Sequence, residues 1–302
     1  MGLAHRVALL SGAWTQHFLQ GAAEVVLRSS LWLAASLGSM TLFAGHFLGL
    51  EVGAAPAVLV FASSLFIYNL DHAADAENET LSAQERAFFR GESLHTLIGC
   101  SGLATAILVL AAPPAARLVF CSYLAVGVVY GIPLLPVRGG DGWRLARLKE
   151  IPGSKAWITA GALTLATVGL PVAYAGRGLG LDGALLFLFL FTCAASGANI
   201  CDIRDLEDDR STGVLTLPIQ LGVSGAKVVL AVLNGVALLV LIGGTLSGAS
   251  GAHPEVVPII MGTLMILRWV RSDTNSELFS LVVHGTYCLF APLAMLHLFF
   301  HG

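Results

Sequence analysis

Charge is what this sequence has least of. Only 12% of its 302 residues are Asp, Glu, Lys or Arg, while 56% are hydrophobic. Soluble domains carry about 25% charged and about 45–50% apolar residues. With a mean hydropathy of +0.80, the chain has too much apolar surface for one water-soluble core and falls in the membrane class. Other absences narrow the field. The five cysteines form no CxxC pair, which argues against a zinc ribbon or a disulfide framework; four lie in apolar runs and read as small buried hydrophobes. No Gly-rich phosphate loop, HExxH or nucleophile elbow occurs, so those nucleotide-binding, metallopeptidase and hydrolase classes lose their support. Alternating polarity with regular turns, the mark of a membrane barrel, is also missing. The opening MGLAHRVALLSGAWTQHFLQG has a short apolar run but no clear small-residue cleavage site, and reads as a retained amphipathic segment.

What is present in quantity is apolar sequence in helix-length pieces. A spanning helix needs about 20 such residues. Nine stretches qualify, near 28–50, 53–70, 93–112, 114–135, 155–176, 180–200, 225–248, 254–270 and 278–300. The fold expected is all-α: one polytopic domain over 1–302, nine transmembrane helices and no sheet, because lipid-exposed backbone must satisfy its own hydrogen bonds. The 34 glycines suit close helix packing, and Pro171 is expected to kink the fifth span. Short links AAPPAA, AGRGLGLD and SGASGAHPE follow the third, fifth and seventh spans, and longer polar ones follow the second, fourth and sixth. Of 16 Lys and Arg residues, only Arg117 and Arg177 lie by the short links. The other side therefore faces the cytoplasm by the positive-inside rule.

Against this background two acidic clusters stand out, both at the predicted cytoplasmic face. YNLDHAADAENET ends the second span, with Asp71, Asp75 and Glu79 at i, i+4 and i+8. DIRDLEDDR ends the sixth, with Asp202, Asp205 and Asp209 at i, i+3 and i+7. Each set falls on one helical face, where like charges repel unless a cation sits among them. Two facing groups of hard oxygen donors suit Mg²⁺ shared with a diphosphate; a lone cluster would equally suit a solvated helix end. Between the fourth and fifth spans, VRGGDGWRLARLKEIPGSK supplies Arg138, Arg144, Arg147, Lys149 and Lys155. They serve either as a topology signal or as a clamp on phosphate oxygens. Arg204 and Arg210, inside the second cluster, either join that clamp or pair with adjacent acids. His72 reads as a helix-face neighbour, and His284 and Tyr287 as packing residues of the ninth span. Spans two and six both end in an acidic stripe, so the chain divides into two loosely similar halves, about 28–135 and 155–300.

NICDIRDLEDDRSTGVLTLPIQLG resembles the second signature of the UbiA superfamily of intramembrane prenyltransferases, approximately NDxRDxxxDxxxGxxTLPxxxG. Asp202, Arg204, Asp205, Asp209, Arg210, Gly213, Thr216, Leu217, Pro218 and Gly222 fall in register. Asp71 and Asp75 supply the DxxxD pair of the first signature, and YGIPLLPVR…RLKEIPGSK looks like the family's loop between spans four and five. The chain departs from the pattern too. The family asparagine four residues before each DxxxD pair is Ile67 in one motif and Cys201 in the other, with Asn69 and Asn199 offset by two. Val214 and Leu215 stand where a basic pair is frequent.

The resemblance implies a Mg²⁺-dependent enzyme of the cytoplasmic membrane, its active site facing the cytoplasm. Asp71, Asp75, Asp205 and Asp209 would be the catalytic metal-binding acids, joined by Asp202 and Glu79. Arg147, Lys149, Lys155, Arg204, Arg210, Asn69 and Asn199 would contact the substrate. That substrate would be an isoprenyl diphosphate, ionised to an allylic carbocation and captured by an aromatic or lipophilic acceptor. In the alternative, a terpene cyclase, the cation is captured within its own chain. A cation transporter would need ionisable groups near mid-membrane, and the spans are nearly charge-free. Membrane lipids are expected as partners; nucleic acid is not.

Overall fold

The computed structural model describes residues 25–26, 28–74, 83–131, 135–139, 142–146, 148, 151–251, 253–274 and 276–301. Among them the chain is almost entirely helical: α1 Leu31–Phe47, α2 Ala55–Ala74, α3 Ala83–Phe89, α4 Glu92–Ala111, α5 Pro114–Gly131, α6 Lys155–Tyr174, α7 Gly180–Arg204, α8 Leu206–Thr212, α9 Leu217–Leu246, α10 Val256–Trp269, α11 Ser276–Cys288 and α12 Phe290–His301. Each apolar stretch of the sequence forms a helix, with one division. The last is cut at Leu289 into α11 and α12. Four helices, α4, α6, α7 and α9, are long and apolar enough to cross a membrane. α6 runs through Pro171 within its final turns, where only the last backbone bonds are affected.

The expectation of no sheet fails at one place. The basic loop folds as a two-stranded antiparallel hairpin, β1 Leu135–Gly139 with β2 Gly142–Ala146, in a register that pairs Gly139 with Gly142. Trp143 and Leu145, one residue apart in β2, supply a short alternation that the surrounding charges conceal.

Neighbouring helices pack in sequence, α1 on α2, α5 on α6, α6 on α7 and α7 on α9, while α1 also meets α6, α11 and α12. The core is aromatic at its centre: Phe43 of α1 lies 4.9 Å from Phe290 and 6.3 Å from Phe189, ring centre to ring centre. Several interior hydroxyls are turned back on their own helices. Thr41, Thr164 and Thr263 each donate to the carbonyl four residues earlier, so they add no unsatisfied group to an apolar interior. The outer surface is apolar: Leu103, Ile107 and Leu110 of α4 are 57–73% exposed, and Val228, Val232, Val236 and Leu239 form an exposed stripe on α9. Such stripes are what lipid covers. They also correct the reading of two cysteines, because Cys100 and Cys121 are exposed on helix surfaces.

Contacts between helix ends sort the bundle into two faces. At one, Ser30 meets Asn69, Lys155 meets Asp202, and Lys227 donates to the Val270 carbonyl at 2.6 Å. At the other, Arg177 donates to the Leu48 carbonyl at 3.2 Å. In a cysteine-free background, Ser93→Cys and Ser211→Cys should therefore react with an impermeant maleimide from one side of the membrane, and Ser247→Cys from the other. Labelling of Ser93→Cys and Ser211→Cys from opposite sides would break this arrangement.

Candidate functional site

The second acidic motif is a helix, a turn and a short helix. α7 ends at Arg204; Asp205 adopts φ −87° and ψ 16°, and α8 begins at Leu206. The three aspartates therefore do not lie on one uninterrupted face as their spacing predicts. The kink turns Asp205 outward, with its side chain 35% exposed, while those of Asp202 and Asp209 are 4% and 8% exposed. Gly213 then closes α8 with φ +74°, a left-handed cap that suits glycine. Thr216 precedes α9, and Gly222, with φ 70° and ψ 162°, breaks that helix after its first turn. Two motif glycines thus occupy backbone that other residues rarely adopt.

Lys155 is what brings the buried acids together. Its Nζ lies 2.7 Å from Asp209 Oδ1 and 3.1 Å from Asp202 Oδ1. It is the first residue of α6, a position the helix dipole makes unfavourable for a cation; the two carboxylates compensate. The preceding turn is tied to the motif as well, since Gly153 N–H donates to the Leu215 carbonyl at 2.6 Å. Burial pushes the Asp209 carboxyl above its ordinary value, and the hydrogen bond from Lys155 opposes that shift.

The other predicted residues divide. Arg204 grips the neighbouring Asp205 with Nε and Nη2 at 2.6 and 2.9 Å, and its guanidinium stands 4.6 Å from the Phe279 ring centre. Arg210 pairs with Glu207 at 2.7 Å. Both motif arginines thus contact acids of their own motif. Asn69 is fully buried; its Nδ2 donates to the Leu65 carbonyl and its Oδ1 accepts from Ser30 N–H, so it pins the start of α1 to the end of α2. Asn199 donates to the Ala195 carbonyl at 2.8 Å. Asp71 is exposed in the last turn of α2. Asp75, Glu79, Arg147 and Lys149 lie outside the described residues. His72 rests against Phe89, and Tyr287 stacks on Phe290, as packing residues do.

Three tyrosines complete the region, of which the motif pattern marked only the one at the loop's start. Tyr130 stands near Thr159 and within electrostatic reach of Lys155, Asp202 and Asp71, residues at the ends of α6, α7 and α2. Tyr68 is near Tyr123, Tyr130 and Asp71, and Tyr123 is near Ser64. Tyr68 opens the stretch that carries the first acidic motif, three residues before Asp71.

The donor set fits Mg²⁺. Asp202 Oδ2 and Asn199 Oδ1 are buried and have no hydrogen-bond partner among the described residues. Buried oxygens in that state call for a water or a cation, and carboxylate oxygen is the ligand Mg²⁺ prefers.

Removing one partner of a buried ion pair costs about 3–5 kcal/mol. Lys155→Met should lower unfolding free energy on that scale, read by thermal denaturation in detergent, and adding Asp202→Asn with Asp209→Asn should restore part of the loss. A loss below about 1 kcal/mol, the value of a surface pair, would show that the bridge does not hold the site.

The sequence profile described as the UbiA prenyltransferase family matches residues 85–282. No curated protein sequence matches the chain. Among solved structures, the chain resembles a UbiA homologue from Archaeoglobus fulgidus bound to GPP and Mg²⁺, with 15% identity, 88% of this chain and 97% of that one covered, and a TM-score of 0.59. It resembles the apo structure of a UbiA homologue from Aeropyrum pernix K1 with 17% identity, coverage of 86% and 98%, and a TM-score of 0.60. A structure concerned with digeranylgeranylglyceryl phosphate synthase aligns at 13% identity, 92% and 96% coverage, and a TM-score of 0.52. Identities this low establish a shared fold only. The profile spans most of the chain and includes the acidic motif of α7 and α8, and the protein belongs to the UbiA prenyltransferase family.

Proposed function

We propose that the protein transfers an isoprenyl group from an isoprenyl diphosphate to an aromatic or lipophilic acceptor, with Mg²⁺ as cofactor. The carrying observation is the paired Asp202 and Asp209, buried at the end of an otherwise apolar bundle and joined by Lys155. An anionic head at that boundary and an apolar tail along the helices match an isoprenyl diphosphate. Family relatives support the choice, since the Archaeoglobus homologue binds GPP, or DMAPP, with Mg²⁺.

Asp202, Asp205 and Asp209 on one side, and Asp71 with Asp75 and Glu79 on the other, would hold the metal. Bound there, Mg²⁺ would neutralise the charge that gathers on a departing diphosphate. Lys155, near the acids, and Lys149, Arg147, Arg204 and Arg210 would donate to the outward phosphate oxygens. The allylic C–O bond breaks with its electron pair leaving on the diphosphate. An acceptor carbon or oxygen then bonds to the allylic carbon and loses a proton to the aqueous side. Tyr68 and Tyr130 would set aromatic rings near the acids, where ring faces stabilise a passing carbocation. The apolar interior keeps water from capturing it. The fourteen basic residues on the acidic side support a reading in which this site faces the cytoplasm from a nine-span bundle.

The test is product analysis with isoprenyl diphosphates of graded length, with and without candidate acceptors. Mg²⁺-dependent diphosphate release and an acceptor-linked prenyl product are expected. Asp205→Ala should reduce turnover at least about 100-fold in a folded protein. Lys149→Ala should raise the KM for the diphosphate, or lower turnover, at least about tenfold, equivalent to roughly 1.4 kcal/mol. A cyclic hydrocarbon formed without acceptor would make the enzyme a cyclase instead. Undiminished turnover in excess EDTA, or by Asp205→Ala, would overturn the metal-dependent mechanism.

A further inference from the structure

At the end of the bundle away from the acidic motifs, three metal-ligating side chains meet. His46 lies in the last turn of α1, His253 in the link between α9 and α10, and Glu255 at the cap position of α10. The two faces are separated by the length of α2, roughly 30 Å for its 20 residues at 1.5 Å per residue. Nothing in the prenyl-transfer chemistry uses these residues. His253 Nδ1 stands 3.0 Å from Glu255 Oε1, and His46 Nε2 stands 3.5 Å from the same oxygen. One donor atom from each residue lies within 4.8 Å of the other two. The side chains are only 15%, 13% and 3% exposed for His46, His253 and Glu255.

The surroundings hold this arrangement in place. The His253 ring stacks on Phe47 with centres 3.8 Å apart and planes 18° from parallel, and the His46 ring meets it edge-on at 88°. Pro254 follows His253 directly and restricts the backbone between the two link residues. Glu255 is a buried carboxylate between two imidazoles, a group that is costly to bury ionised without a cation or protons to offset it.

We propose that His46, His253 and Glu255 form a Zn²⁺ site that ties the α9–α10 link to the end of α1. Two imidazoles and one carboxylate form a known zinc donor set, with the fourth tetrahedral position left to water. Zinc–ligand bonds of about 2.0–2.2 Å place tetrahedral donors about 3.3–3.6 Å apart, and the contacts at 3.0 and 3.5 Å lie near that spacing. Histidine nitrogen favours zinc over Mg²⁺, which takes oxygen, so this site and the acidic one would select different ions. An ion here would fasten two distant parts of the chain across the rim of the helix bundle.

The test uses the full-length protein in detergent, stripped with chelator and titrated with Zn²⁺ or Co²⁺. A single ion per chain should bind, Co²⁺ should show the intense visible bands of a tetrahedral site, and Zn²⁺ should raise the thermal midpoint. His253→Ala and Glu255→Gln should weaken this binding at least about tenfold and abolish the thermal response. His46→Gln provides a third variant if either fails to fold. The Asp205→Ala, Asp209→Ala double variant should keep the Co²⁺ bands, which separates this site from the acidic one whatever the outcome for prenyl transfer. Absence of the bands in the parent protein, or bands that persist in all three ligand variants, would reduce the cluster to a hydrogen-bonded latch and overturn the proposal.

Discussion

A lysine ammonium shared by two buried carboxylates organises the functional end of this molecule. Nζ of Lys155 reaches Asp202 and Asp209 at 3.1 and 2.7 Å, where the bundle leaves few other groups able to solvate charge. In that setting the three side chains constrain one another: any two without the third leave an uncompensated charge in a poorly polarisable place. The bridge joins the start of α6 to the end of α7 and to α8. The link from Gly153 to Leu215 adds the loop before α9, so four successive segments of chain meet at the same spot.

The same arrangement explains how an acidic cluster persists before any metal binds. Several negative groups near the kink have a cation at hand: Asp205 has Arg204, Glu207 has Arg210, and the buried pair has Lys155. A bound Mg²⁺ would compete with these internal partners, and released arginines would become available to phosphate oxygens. Resting ion pairs and the proposed diphosphate clamp would then be successive uses of the same residues, in a motif whose five acids outnumber its two arginines.

Two faces of the bundle carry polar clusters of different chemistry. One is oxygen-rich, ringed by tyrosines and basic side chains. The other gathers His46, His253 and Glu255 around a stacked aromatic ring. Between them the helices are apolar, outward as well as inward. The outward leucines and valines of α4 and α9 would be a defect in water and are appropriate in lipid.

Helix content and membrane character follow from local composition: a run of about 20 apolar residues leaves the backbone little choice in lipid, and each such run did become helix. The second acidic motif was equally legible, because its glycines and its TLP segment answer to local turn geometry at Gly213 and Gly222. What the linear pattern could not contain was partnership. Helical spacing put Asp202, Asp205 and Asp209 on one face, but a kink at Asp205 separated the middle acid from the other two. Asn69 lies two residues from the position of a motif asparagine, yet a contact with Ser30 made it a pin for α1. His46, His253 and Glu255 carry no short-range signal, since two lie in an ordinary-looking Gly/Pro link and the third far upstream. Local backbone preference is written residue by residue; side-chain pairing depends on which distant helices pack together, and only the tertiary structure decides that.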